Sequence, residues 1–384
     1  MAEEQRKKRA LVLSGGGPVV GIELGALRAF EEKNIDFDIY SCACVGSWVG
    51  CLYNSLPANN ERLQKVKTFF RDKIFIPDDI YESFPIDYKV FRMDFLQDAR
   101  KLMEKIFEAS TYQHLFLPNR IWEYAMQWMR RPPATMDDCF YCLTEGLALN
   151  PFVRFATELQ YKIKKSGIAG LVNSENFVDK YIDFEQLFKG EKVVYLNAYN
   201  LSKHRMEIFI NRKGHRYNDI DADALMAGSS VLHYTENRTI DGKSDKYCEG
   251  AVIDTVNLDH LLTDHPDLDE IWVIKIADYK AVKPPKNLIE AALLGVMLPF
   301  DTISDDDIEL FSHRLRAHNR RSDKKIKFIN VLMAYKDVNY HWNHSNLDEG
   351  IRVGYEGARK SISAYRETDL EKEGERCRYI RSIS

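Results

Sequence analysis

An α/β fold with a mainly parallel central sheet is what this sequence predicts, on three observations. A short apolar run, Ala10-Leu11-Val12-Leu13, breaks at Ser14-Gly15-Gly16-Gly17-Pro18 and gives way to a helical pattern. A second strand, about Phe37 to Ala43, turns abruptly at Cys44 into another helical pattern. Strand patterns then return at Val193–Asn197, Glu207–Ile210 and Ile271–Ile276. Strand, glycine loop, helix, strand, tight turn and helix make a βαβα start, and such units close into a parallel sheet.

Each element follows from its residues. Ala10–Leu13 is apolar at every position, as a strand buried on both faces requires. From about Val20 to Lys33, the residues Ile22, Leu24, Leu27, Ala29 and Phe30 fall on the apolar side of a helix. A second helix is expected from Val45 to Leu56. The stretch from about 57 to 183 is mostly helical in pattern, rich in aromatic and basic residues, and interrupted at Pro132-Pro133. It reads as a helical insertion or lid within a single domain. Within it, Ile121, Trp122, Ala125, Trp128 and Met129 share one side of a helix. That side is expected to cover a core, with a lipid-facing helix as the alternative. Val193–Asn197 and Glu207–Ile210 read as a hairpin, and Asp221–Ala227 as a helix. The basic cluster from Arg314 to Lys327 reads as a solvated surface rather than an anionic-headgroup patch. Residues 366–384 read as a helix end followed by a charged tail.

Composition excludes several classes. Of 384 residues, 45% are hydrophobic, enough for a packed core, while 29% are charged, too many for a mostly apolar membrane protein. The longest apolar run, Leu288 to Phe300, contains Glu290, Gly295 and Pro299 and falls short of membrane-spanning length. A net charge of −4 gives no global reason to expect nucleic acid as a partner. Seven cysteines scattered over a long chain do not form a disulfide framework. The charged N-terminus lacks a signal-type apolar segment, so the expected location is cytoplasmic, with room for peripheral membrane contact. No cofactor and no metal are expected; pairing Cys42 and Cys44 with Cys139 and Cys142 as a zinc site joins two dissimilar contexts.

Two segments can carry chemistry. The glycines Gly15, Gly16 and Gly17 let backbone N–H groups face a cavity without side-chain obstruction, at the start of a helix that favours negative charge. They match neither a P-loop nor a dinucleotide fingerprint. In Cys42-Ala43-Cys44-Val45-Gly46, small residues stand two before and two after Cys44, the spacing of a nucleophile elbow. A helix N-terminus there is expected to lower the thiol pKa. The N–H of Val45 would be one oxyanion donor and the glycine loop would supply the others. Ser47 fails the elbow spacing. Asp241-Gly242 reads as a hairpin turn.

These pieces, with Glu249-Gly250-Ala251 further on, resemble the patatin-like phospholipase family. The family's signature is a strand running into a triple-glycine oxyanion loop, a Gly-x-Ser-x-Gly elbow about thirty residues later, and an Asp-Gly-Gly or Asp-Gly-Ala turn. Its first helix is similar to the stretch Gly21–Glu32, and its Ala-Ser-x-Ala-x-Pro segment to Ala227–Leu232. The resemblance is clear over about 9–56 and 190–280 and implies a three-layer α/β/α fold. It places Cys44 at the nucleophile position and Glu249 at the dyad acid. The first glycine of the elbow is Cys42 here. The implied activity is hydrolysis or transfer of a lipid-type acyl group from an ester or thioester, through an acyl-thioester on Cys44. The alternative is a non-catalytic lipid-binding or regulatory protein on the same scaffold.

Overall fold

The computed structural model describes residues 6–85, 87–92, 95–112, 115–163, 167–171, 177–240, 242, 244–276, 284–285, 288–331, 333 and 338–371. Asp241, Cys377 and the tail beyond 371 lie outside the described residues. In chain order the principal elements begin with β1 (Arg9–Leu13), α1 (Gly21–Glu32), β2 (Ile39–Cys42) and α2 (Val45–Ser55). Four helices follow: α3 (Phe95–Ile106), α4 (Pro118–Arg130), α5 (Met136–Leu149) and α6 (Pro151–Ile163). The strands β3 (Val193–Asn200), β4 (Arg205–Ile210), β5 (Asn218–Asp219), β6 (Tyr247–Glu249) and β7 (Glu270–Ile274) come next. The chain closes with α7 (Leu288–Arg321), β8 (Lys327–Asn330) and α8 (His344–Glu371). Two compact units divide these elements: residues 93–170 form one, and 1–92 with 171–384 form the other.

In the larger unit the sheet order is β8-β7-β1-β2-β3-β4-β5, with β6 also paired to β3. The strands from β8 to β3 are mutually parallel, while β4 and β6 run antiparallel to β3. The apolar run that opens the sequence is thus a central strand, flanked by β7 and β2. Alternation divides its side chains between two cores. Leu11 and Leu13 pack into one with residues of α1, α2 and α8; Ala10 and Val12 pack into the other with Ile308, Phe311 and Leu315 of α7. Helices on both faces of a mainly parallel sheet give the three layers expected. The β3–β4 hairpin is where the sequence places it. No helix among the described residues is long and apolar enough to cross a membrane; Leu288–Phe300 opens the 34-residue α7, with Pro299 inside it.

The α1–α8 contact explains why α1 is buried nearly all round. A methyl group added at Gly25 would overlap the Ile351 carbonyl, and one added at Gly354 would overlap the Ile22 carbonyl. The two backbones touch because neither helix carries a side chain there. Glycine inside a helix costs roughly 1 kcal/mol against alanine. Gly354→Ala should nonetheless destabilise, by about 1–3 kcal/mol, since overpacking outweighs the propensity gain. Urea unfolding reads this directly, and a variant more stable than the wild type would contradict the packing.

Candidate active site

The elbow is a backbone feature first. Cys44 stands between β2 and α2 with φ 47° and ψ −120°, a conformation that non-glycine residues rarely adopt. What holds it is the crowding behind it. Ala43 N–H donates to the Leu13 carbonyl at 3.0 Å, and a Cβ on Gly46 would sit 2.5 Å from that same oxygen. Only glycine lets α2 start so close to the end of β1.

Sheet register brings the second group. Cys42 of β2 pairs with Leu196 of β3, and two residues further along β3, Ala198 pairs with Glu249 of β6. Glu249 therefore arrives beside the residue two past Cys42, which is Cys44. Its own N–H is tied to the Ser230 carbonyl at 2.9 Å, within the segment Ala227–Leu232. Asn257 ties the following turn to β2: its side chain donates to the Cys42 carbonyl at 3.1 Å, and its carbonyl accepts from Ser41 Oγ at 2.5 Å. The glycine loop completes the cluster, since a Cβ on Gly15 would lie 3.1 Å from Cys44 Cβ and 3.0 Å from Ala251 Cβ. Both groups thus stand at the carboxyl ends of the parallel strands, where open α/β sheets hold their ligands.

Electrostatics of the pair are set by burial. Cys44 is 7% exposed and Glu249 fully buried. Neither Glu249 oxygen meets a regular hydrogen-bond donor, and the Cys44 thiol is its polar neighbour. Burial pushes the Glu249 carboxyl up to about 7, partly offset by the thiol. Burial also drives the Cys44 thiol well above its usual range, and the Glu249 carboxyl adds to the rise; the Val45 N–H pulls the other way and loses. The expected lowering of the thiol pKa is thereby overturned: desolvation outweighs the helix terminus.

The glycine loop needs one correction. The N–H of Gly15 donates to the Thr255 carbonyl at 3.0 Å, so it is committed to holding the loop rather than to a ligand. No backbone carbonyl among the described residues takes the N–H of Gly16 or Gly17, and Gly17 has a φ of 53°. With Val45 these are the donors left for an oxyanion.

One residue was missed on sequence. Glu23 of α1 is fully buried, neither of its oxygens has a partner, and its charge bears on both Cys42 and Cys44. The signal was an acid between Ile22 and Leu24 in a helix otherwise apolar at its start. Burial raises its pKa well above 4.5. A carboxyl raised in the folded state stabilises fully below its unfolded pKa, and that contribution is lost as pH rises towards the folded value. The loss runs at up to about 1.4 kcal/mol per pH unit. Glu23→Gln removes it, so the melting temperature of the variant relative to wild type should climb between mildly acidic and mildly alkaline pH. A difference that stays constant with pH would count against a buried, protonated Glu23.

The family model described as patatin-like phospholipase matches residues 11–262. No curated protein matches the chain. Among solved structures, VipD from Legionella pneumophila is similar at 13% identity and a TM-score of 0.39, covering 93% of this chain and 67% of that one. The type III effector ExoU aligns at 10% identity and a TM-score of 0.31, covering 96% of this chain and 54% of its own. ExoU from Pseudomonas aeruginosa in complex with SpcU gives 14% identity, a TM-score of 0.30, and coverage of 95% and 53%. This chain spans about half the length of the ExoU chains.

Proposed function

The chain belongs to the patatin-like phospholipase family, a class of lipid acyl hydrolases, and on that premise we propose that it cleaves a lipid-type acyl ester or thioester through Cys44 and Glu249. The observation that carries the reading is the strained elbow at Cys44 set against the buried carboxyl of Glu249. The family assignment does not favour the non-catalytic alternative.

Glu249, as carboxylate, takes the proton from Cys44 Sγ. The thiolate attacks the acyl carbonyl carbon, and the electrons of its π bond move onto oxygen. That oxyanion is met by the N–H groups of Val45, Gly16 and Gly17. Collapse breaks the bond to the leaving alcohol or thiol, which leaves with the proton held by Glu249. An acyl-thioester remains on Cys44. Water, or another acceptor, gives its proton to Glu249 and attacks that carbonyl; the second collapse releases the acyl product and returns the proton to the thiolate. A thiol serves here because its intrinsic pKa, about 8.5, lies much nearer neutrality than that of a hydroxyl.

The test is to incubate the chain with a fatty-acyl thioester, quench in acid and map acylated peptides by mass spectrometry. An acyl group on the Cys44 peptide supports the reading. Alkylation of every accessible thiol by iodoacetamide, with no acyl adduct anywhere, would sink it.

A further inference from the structure

Within residues 93–170, two helices present apolar side chains outward. On α5, Met136, Phe140, Leu143 and Leu147 recur at the spacing of one helix face and are 71, 62, 59 and 50% exposed. On α4, Trp122 and Met129 lie seven residues apart, one above the other, each 66% exposed. The expectation that this face of α4 covers a core is therefore overturned. A helix in a soluble domain buries such a stripe, and contiguous exposed apolar surface marks a docking site.

We infer that these two faces are a docking surface for a lipid bilayer, with the helices lying in the plane of the headgroup–acyl boundary. Side-chain chemistry favours a bilayer over a second copy or a protein partner. The stripe combines Trp, Phe, Met and Leu, the set that sits at a membrane interface. Of the carboxylates of α5, Glu145 and Asp138 fall on the opposite side, Asp138 engaged by Thr135 in a capping box, and Asp137 falls at the edge of the stripe. Charge complements a phosphate layer at the rim. Arg130 ends α4 immediately after Met129 and Arg131 follows it, both exposed, and neither has a carboxylate partner among the described residues. The inference deepens the proposed function, because acyl lipids are packed in bilayers and an enzyme acting on them must reach that surface.

Sedimentation of the full chain with phosphatidylcholine vesicles, with and without phosphatidylglycerol, tests it. The wild type should pellet with vesicles. Phe140→Ser with Leu147→Ser should cut partitioning by roughly tenfold or more, since two large apolar side chains no longer leave water. Arg130→Ala with Arg131→Ala should weaken binding mainly to the anionic vesicles and mainly at low salt. Hydrolysis of a soluble short-chain thioester should be unchanged in both. A wild type that ignores vesicles overturns the inference, as does a serine variant that binds as well as wild type. Self-association that the serine substitutions disperse, without vesicle binding, assigns the face to a second copy and also overturns it. Substitution-sensitive vesicle binding by a chain that turns over no ester or thioester leaves the docking surface standing and removes the proposed function instead.

Discussion

Cys44→Ala should abolish acyl-ester and acyl-thioester turnover, with a loss in kcat of at least about a thousandfold, the scale seen when a covalent nucleophile is removed. The effect is large because the neighbouring hydroxyls of Ser41 and Ser47 are not placed to substitute. Ser41 of β2 is buried, with its hydroxyl committed to the Asn257 carbonyl. Ser47 is fully buried one turn into α2. The fold should tolerate the change, since alanine keeps the Cβ and removes only sulfur. A matched melting temperature would then separate lost chemistry from lost structure. Cys44→Ser is the sharper probe. A hydroxyl demands more of its base than a thiol does, and Glu249 is one methylene longer than the aspartate usual in the family. The serine variant should therefore turn over esters poorly. Turnover by Cys44→Ser equal to or above wild type would show that the pair is arranged for oxygen, and the thiol mechanism would fall.

Glu249→Gln should lower kcat by about 10²–10⁴-fold, the usual range for a general base. It should also change the pH profile. Burial holds the Glu249 carboxyl at about 7, and a base acts only when deprotonated. In the wild type, kcat/KM should rise tenfold per pH unit below about 7 and level off above it. The glutamine variant should lose that acid limb along with most of its rate. The residual activity should then increase only as hydroxide or the intrinsic thiolate fraction increases. A limb that persists unchanged in Glu249→Gln would assign the titration to another group, and Glu23 is the other buried carboxyl whose charge bears on Cys44.

Much of the fold was legible because it is local. Ala10–Leu13 reads as a strand buried on both faces, and the glycines after it as a loop. Cys44 with Gly46 two residues on could be read as an elbow, since the crowding against Leu13 that demands glycine is built by neighbouring residues. Less was legible after residue 280. The pairing of β8 with β7 and the 34-residue course of α7 depend on partners far along the chain. The face of α4 shows the same limit from the other side. Its periodicity reveals an apolar stripe, but a stripe facing a core and one facing a lipid surface have the same spacing.

By itself, then, the sequence determined the strand–loop–helix order, the mainly parallel sheet, and the presence of a thiol at the elbow with a glycine loop upstream. These rest on conformational rules that act over a few residues. The resemblance paired Glu249 with Cys44, but only the tertiary structure shows how they meet, because the register Cys42↔Leu196 and Ala198↔Glu249 joins three separate strands. Only it decided that the thiol pKa rises, since the sum of burial and carboxylate against one N–H is a property of the packed site. It also spent the Gly15 N–H on Thr255 and turned the stripe of α4 outward, two outcomes that depend on what lies next to a residue in space.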